Sequence, residues 1–208
     1  MEAVMRTGYH HGDLRAALVE TGLTLTRAGG PDALRLREAT RRTGVTARAA
    51  YRHFADRDAL LAAVAARIQD KMANSMRERM SVDETDESID SAMARLRGVG
   101  LGYVEFAVNE PGWFQVAFFA PDGIVRPDGR VPAPLELLRE ALDALVRSGS
   151  LSAERRAGAE WSCWSTVHGF AELAIHGPLR GQEPARLRLF AEQAVDDIIA
   201  GIRRADSS

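Results

Sequence analysis

Apolar residues recur along this chain at steps of three and four, the spacing of a helix with one buried face. Leu14 and Leu18 show this spacing near the start, and Leu60, Val64 and Ile68 show it further along. No stretch alternates apolar and polar residues as a strand would. The pattern predicts an all-α protein of about nine helices. The clearest are expected over residues 56–80, 88–109, 153–176 and 184–204, and a short aromatic segment occupies residues 113–119. Asp56 is expected to cap the first of these helices.

Length and composition favour an ordinary globular protein of one large domain or two unequal ones. The chain has 208 residues, of which 46% are hydrophobic and 27% are charged. It shows neither a run of apolar residues long enough to cross a membrane nor an export signal, so we expect a cytoplasmic protein without a membrane partner. Its one cysteine, Cys163, excludes an internal disulfide and suits a reducing compartment.

The charge is unevenly distributed. The whole chain has a net charge of −2, yet residues 1–57 carry ten arginines against six acidic residues. A basic segment on an acidic body points to contact with a polyanion. An arginine-rich face that only meets solvent is the alternative, which charge alone leaves open.

Two short helices are predicted within residues 36–53, with Gly44 and Val45 between them. This is the spacing of a helix-turn-helix motif, whose second helix enters the major groove of DNA. The first helix crosses the DNA backbone and needs phosphate donors. Four arginines can supply them: Arg35, Arg37, Arg41 and Arg42.

The segment TGYHHGDLRAALVETGLTLTRAGGPDALRLREATRRTGVTARAAYRHFADRDALLAAV closely resembles the DNA-binding domain of the tetracycline-repressor (TetR) family of bacterial regulators. Further along, Trp164, His168 and Gly169 are similar to the Trp-x-x-x-His-Gly signature of one TetR subgroup. The resemblance implies a helix-turn-helix domain over residues 1–57 and a helical domain for effector binding and dimerisation over residues 58–208.

The resemblance also implies a role for individual residues. Thr46 caps the recognition helix. Arg48 is the one long side chain at the groove-facing positions, and an arginine there can make a bidentate contact to guanine. Packing against the first helix is the alternative for Tyr51 and His53. The residues expected to contact DNA are Arg6, Arg35, Arg37, Thr46, Ala47, Arg48, Ala49, Tyr51, His53 and Arg57.

The segment departs from the family pattern in several places. Ala39, Thr40, Thr43 and Ala50 stand where the family usually has Val, Ala, Ala and Leu, which makes this core smaller and more polar. Arg57 replaces a usual lysine, and either residue can bind phosphate.

No arrangement of reactive side chains in the sequence predicts an enzyme, a metal site or a cofactor site. His168, Glu172 and His176 follow one another at steps of four, but the two histidines are about 12 Å apart along a helix, too far for one ion. Cys163 and His168 do not face each other, so they form no nucleophile–base pair. Cys163 is expected to be a core thiol, with redox sensing as the alternative. The glycines of residues 98–102 suggest close helix packing.

Aromatic residues concentrate between residues 103 and 170, where a core or an apolar ligand cavity would use them. The residues we expect around a mostly apolar or aromatic effector are Tyr103, Phe106, Trp113, Phe114, Phe118, Trp164 and His168. The last two helices are expected to form a homodimer, with Ala191, Ala194 and Ile198 at the seam. The sequence thus predicts a dimeric repressor that binds double-stranded operator DNA. A small helical enzyme and a ligand-independent architectural DNA-binding protein are the alternatives.

Overall fold

The computed structural model describes residues 11–80, 86–119 and 129–203. These residues form ten α-helices and one short 3₁₀ helix, Pro31–Ala33, with no strand among them. In chain order the α-helices are α1 His11–Gly29, α2 Leu36–Thr43, α3 Ala47–Tyr51, α4 Arg57–Met80, α5 Ile89–Asn109, α6 Pro111–Phe119, α7 Ala133–Arg147, α8 Ala153–Arg156, α9 Ala159–Ile175 and α10 Pro184–Arg203. The all-α prediction is confirmed.

Two elements differ from the sequence prediction. The helix expected over residues 153–176 is divided into α8 and α9, because Ala157 is extended and Gly158 adopts a left-handed conformation with φ 78°. The aromatic segment is a helix, α6, which begins at Pro111. Proline suits a first helical position because the backbone N–H it lacks would have no partner there.

The first three helices form an N-terminal unit around a core of small side chains. Leu18 of α1 is fully buried, as are Ala39 of α2 and Ala50 of α3. The threonines that depart from the family pattern have partners for their hydroxyls: Thr40 donates to the carbonyl of Arg37 at 2.8 Å and Thr43 donates to that of Ala39 at 2.7 Å. The core is therefore small but leaves neither hydroxyl unsatisfied.

The long helix α4 joins this unit to the rest of the chain. Leu60 and Val64, near its start, are fully buried in a core that is continuous with the C-terminal body. Further along, α4 runs antiparallel to α5 at short range. A Cβ on Gly98 would lie 2.9 Å from Met80 Cα, and one on Gly102 would lie 2.8 Å from Met76 Cα. These glycines serve close helix packing, as the sequence predicted.

Helices α5, α7, α9 and α10 complete the body. Val167 of α9 and Val195 of α10 are buried, and both face Gly100 of α5: a Cβ there would lie 3.1 Å from the Val195 side chain and 3.6 Å from that of Val167. Tyr103 of α5 and Phe114 and Phe118 of α6 are buried in this body, and Trp164 of α9 is half-buried against them.

Candidate functional site

Helices α2 and α3 form a helix-turn-helix whose turn depends on one glycine. Gly44 ends α2 in a left-handed conformation with φ 72°, which side chains other than glycine rarely adopt. Thr46 then caps α3, since its hydroxyl oxygen accepts the backbone N–H of Ala49 at 3.2 Å. The predicted cap is confirmed, as is that of α4, where Asp56 accepts the N–H of Ala59 at 2.8 Å.

The outer face of α3 carries two long side chains that can donate hydrogen bonds, Arg48 and Tyr51. Ala47, Arg48 and Tyr51 are exposed, with Tyr51 at 56%, whereas Ala49 is half-buried and Ala50 faces the core. His53 is also half-buried. The structure therefore leaves Arg48 and Tyr51 accessible on the outer face of the motif. Another macromolecule can contact these two side chains without any rearrangement of the core.

The basic surface of α2 is smaller than its arginine count suggests. Arg35 and Arg37 are exposed, but Arg41 and Arg42 bond to Glu38 at 2.8 and 2.7 Å. These hydrogen bonds lower the pKa of Glu38 to about 2. Arg35 and Arg37 are therefore more available to phosphate than the other two. Arg6 lies outside the described residues.

Arg57 is occupied within its own chain. Its guanidinium donates to the carbonyls of Leu34 at 2.8 Å and Pro31 at 2.6 Å, and it pairs with Asp58 at 2.9 Å. It thereby links the start of α4 to the segment that precedes α2. Arg57 thus acts as a structural brace, meaning that it cross-links two parts of the N-terminal unit. The sequence, in which Arg57 simply begins a helix, does not indicate this role.

Five of the predicted effector residues form one aromatic cluster. Tyr103 of α5 donates to, or accepts from, Nδ1 of His168 at 2.8 Å. Ring centroids of the cluster are 5.2 Å apart for Tyr103 and Trp164 and 5.3 Å apart for Phe114 and His168. Phe118 completes the cluster, 5.6 Å from Trp164.

A small apolar cavity adjoins this cluster. It has a volume of about 20 Å³, room for about one water molecule. Tyr103 and Trp164 are the predicted residues that line it. Sequence reasoning selected aromatic residues and missed the other lining residues, because non-aromatic side chains of a cavity wall and of an ordinary core look alike in a sequence. They are Met76, Leu96, Val99, Gly100, Pro134, Leu138, Cys163, Val167, Val195, Ile198 and Ile199.

Burial sets the protonation of the polar groups near the cavity. It raises the pKa of Tyr103 well above its usual 10 and lowers that of His168 below 6.5. It also raises the pKa of Cys163 to about 11. At neutral pH the three groups are therefore uncharged, which suits an apolar ligand and leaves Cys163 as an unreactive thiol. Among the described residues, no three side chains come together as a metal ion would require.

The structure separates Phe106 and Trp113 from this cavity. The two rings stack on each other with centroids 6.4 Å apart, and neither lines the cavity. The indole N–H of Trp113 donates to the carbonyl of Leu23 in α1 at 2.9 Å. Trp113 therefore joins the C-terminal body to the N-terminal unit, and the prediction that it surrounds the effector does not match its position.

Helix α6 lies directly against α1 at this junction. Glu110, just before α6, accepts two hydrogen bonds from Arg27, one of them 2.8 Å long. A Cβ on Gly112 would lie 2.7 Å from the carbonyl oxygen of Thr26 and closer still to that of Arg27. The start of α6 thus touches the backbone at the end of α1.

The last two helices carry exposed apolar side chains, although not the predicted ones. Ala191 is buried within its own subunit and Ile198 lines the cavity described above. Ala194 and Ile198 are half-buried. That Ala191, Ala194 and Ile198 lie at a dimer seam stays a prediction, although Ala191 has little surface left for a partner. The exposed apolar residues of α9 and α10 are Trp161, Leu173 and Leu189.

These features define the class of protein: a DNA-binding regulator with a helix-turn-helix unit and a helical body. Family models agree. Residues 18–64 match "Bacterial regulatory proteins, tetR family", and residues 96–198 match "Tetracyclin repressor-like, C-terminal domain". The chain belongs to the TetR family and is a DNA-binding transcriptional regulator.

Solved structures share this fold over nearly the whole chain. A protein of unknown function from Rhodococcus sp. RHA1 is 24% identical in sequence, with a TM-score of 0.73. The match covers 96% of this chain and 100% of that protein. A TetR variant from Acinetobacter baumannii AYE, in complex with minocycline, is 21% identical with a TM-score of 0.65, covering 93% and 98%. A TetR-family regulator from Pectobacterium atrosepticum is 22% identical with a TM-score of 0.64, covering 96% and 99%. The comparison with curated proteins finds no match.

None of the described helices combines the length and the apolar character that crossing a bilayer requires.

Proposed function

We propose that this regulator is a homodimeric repressor that a small, mostly apolar effector releases from its operator. Residues 1–57 form the DNA-binding domain and residues 58–208 form the effector and dimer domain in this proposal. The observation that carries the DNA half is the outer face of α3, where Arg48 is exposed between the small residues Ala47 and Ala49. Small neighbours let the helix approach base edges closely, and the guanidinium can bond a guanine at two points.

The other contacts in this proposal position the protein on the DNA backbone. Tyr51, Arg35 and Arg37 are exposed and can donate to phosphates, and we assign them this role. His53 is half-buried and would contribute from the edge of the surface. Such contacts hold the recognition helix in register but do not read sequence.

Selection of binding sites from a random DNA library tests the DNA half. We expect a palindromic site, and Arg48→Ala should weaken its binding by about 1–3 kcal/mol and relax the preference at one base in each half-site. Arg77→Ala, which removes an exposed arginine from the distal part of α4, is the matched control and should bind normally. Equal affinity and selectivity for Arg48→Ala and wild type would refute the assignment.

We propose that the dimer forms through the outer faces of α9 and α10. Gly169 and Gly201 lie within these helices, and a Cβ on either would meet nothing in the subunit within 4 Å. A helical glycine costs up to about 1 kcal/mol relative to alanine, and nothing within the subunit accounts for these two. The close approach of a second subunit would account for both glycines. In the Trp-x-x-x-His-Gly pattern, Trp164 and His168 then face the cluster and Gly169 faces the partner.

Sedimentation measurements test this interface. Leu189 is 61% exposed, so Leu189→Glu should cost the subunit little stability but should shift the protein toward monomers and abolish binding to a palindrome. Ile89→Glu is the matched control, because Ile89 is an exposed apolar residue at the start of α5. A dimer that survives Leu189→Glu would remove this face from the interface.

The effector half of the proposal rests on the aromatic cluster and its cavity. Ligand pockets usually measure about 300–1,000 Å³, far above the 20 Å³ present here, so an effector must displace side chains as it enters. Binding would therefore favour an expanded conformation of the body over the compact one seen here. The free energy of operator binding would weaken by at most the difference between the effector's binding free energies for these two conformations.

A screen of aromatic and alicyclic compounds for release of operator DNA tests this half. A compound that releases DNA should also change tryptophan fluorescence, because Trp164 lines the cavity. Leu138→Trp, which fills the cavity from α7, should abolish release while DNA binding persists. A compound that releases wild type and Leu138→Trp equally would refute the proposed site. A reporter gene under the selected operator shows whether the output is repression.

A further inference from the structure

A second hollow lies on the other side of α5 from the aromatic cavity. It is an open groove of about 320 Å³ between α5 and the first half of α10, and it shares no lining residue with the cavity. Its size is within the range of ligand pockets. The effector site proposed above does not include it.

The floor of this groove is apolar. Leu101 and Val104 of α5, Ala174 of α9 and Ala191 of α10 all line it and are at most 9% exposed. Val108 and Leu187 add half-buried aliphatic carbon at the sides. An alkyl chain or a small ring placed here would leave water without burying a polar group, which is favourable in proportion to the area covered.

The charged side chains at the mouth of the groove are paired, with one exception. Arg79 contacts Glu105 at 3.3 Å, and Glu192 lies 4.0 Å from Arg97. Arg188 also lines the groove, and within the described part of the chain it has no carboxylate partner. Arg97 is held mainly by Asp196, at 2.6 Å, so Glu192 is only weakly paired. The groove thus offers one guanidinium without a carboxylate partner, that of Arg188, above an apolar floor.

We propose that this groove binds an amphipathic monocarboxylate, with the carboxylate on Arg188 and the hydrocarbon on the apolar floor. The planar guanidinium matches the two oxygens of a carboxylate and can bond both at once. A dianion such as a phosphate ester would need a second free cation, and the other cations at the mouth are already paired. A neutral apolar molecule would gain nothing from Arg188.

The proposed dimer leaves this groove accessible. Consecutive residues are about 100° apart around a helix, so Arg188 and Leu189 face different directions on α10. Leu189 belongs to the outer face assigned to the partner subunit, whereas Arg188 belongs to the groove. The ligand can therefore bind the dimeric protein directly.

Titration calorimetry with decanoate, below its micelle concentration and without DNA, tests this proposal. Decanoate should bind the full-length protein, and decanol should bind up to about fivefold more weakly, the upper end of the range expected for one exposed ion pair. Arg188→Gln should reduce decanoate affinity by the same factor and leave decanol binding unchanged. Arg186→Gln, two residues away and outside the groove, is the matched control and should bind decanoate normally.

Val108→Phe supplies an independent test, because the larger ring would occupy the groove from α5. It should abolish binding of both probes while its thermal unfolding stays close to that of wild type. The proposal is overturned if decanoate fails to bind wild type, if decanol binds as tightly as decanoate, or if Arg188→Gln and Val108→Phe bind decanoate like wild type. None of these outcomes depends on operator binding or on the effector cavity.

Discussion

The contact between α6 and α1 leads to a sharp prediction for Gly112→Ala. The added Cβ would lie 2.7 Å from the Thr26 carbonyl oxygen, whereas ordinary contacts begin near 3.4 Å. Helix α6 would have to withdraw from α1 by at least about 0.7 Å, because the opposing atoms belong to the backbone and cannot rotate away. The withdrawal would also stretch the 2.9 Å hydrogen bond from Trp113 to Leu23.

The size of the effect follows from these contacts. Overpacking of this kind costs about 1–3 kcal/mol, and a weakened hydrogen bond adds about 0.5–1.5 kcal/mol. In a protein of this size each kcal/mol lowers Tm by about 2–4 °C. We therefore expect Gly112→Ala to lower Tm by about 3–18 °C.

Circular dichroism melts and amide hydrogen exchange check this prediction. Exchange should accelerate at the C-terminal end of α1, near Thr26 and Arg27, more than in α9 or α10. Pro111→Ala is the matched control, because Pro111 is exposed and its replacement adds no atom toward α1. Unchanged melting and unchanged exchange in Gly112→Ala would refute the inferred close approach.

Three further predictions concern single side chains. Arg57→Lys should lower the free energy of unfolding by about 1–2 kcal/mol in denaturant titrations, because lysine replaces the two separate nitrogens that bond the carbonyls of Leu34 and Pro31 with a single one; unchanged stability would contradict the brace. Burial lowers the pKa of His168 below 6.5, so just below that pH His168 is protonated in the unfolded chain but not in the folded one. Stability should therefore fall as pH drops through about 6.5. His168→Gln should make that slope shallower, and an unchanged slope would exclude His168 as its source. Because burial raises the pKa of Cys163 to about 11, iodoacetamide at pH 8 should label the unfolded protein and spare the folded one, as mass spectrometry would show.

The sequence predicted best those features that local chemistry determines. The caps of α3 and α4 are examples, because a threonine or aspartate three residues ahead of a free N–H satisfies it whatever the rest of the chain does. The glycine packing of α5 against α4 was also foreseen. The helix-turn-helix could be located from Gly44 and its flanking helices.

Features that depend on which helix face meets which neighbour could not be predicted in this way. Trp113 has the composition of a pocket residue, but α6 turns its indole toward α1 and away from the cavity. Ala191 follows the periodicity of an apolar face, yet the subunit's own core already buries it. Periodicity identifies a buried face without saying whether the same chain or a partner covers it.

The two faces of α6 suggest how the cavity and the DNA-binding helices communicate. Phe114 and Phe118 belong to the aromatic cluster, while Gly112 and Trp113 contact α1. Helix α6 has nine residues and is about 13 Å long, short enough to move as a rigid rod. In the function proposed above, a ligand that expands the 20 Å³ cavity by displacing Tyr103 or Trp164 would press on Phe118, which packs against both rings. A rigid-body shift of α6 in response would carry Gly112 along. Because Gly112 touches backbone atoms of α1, even a sub-ångström shift would be transmitted to the N-terminal unit.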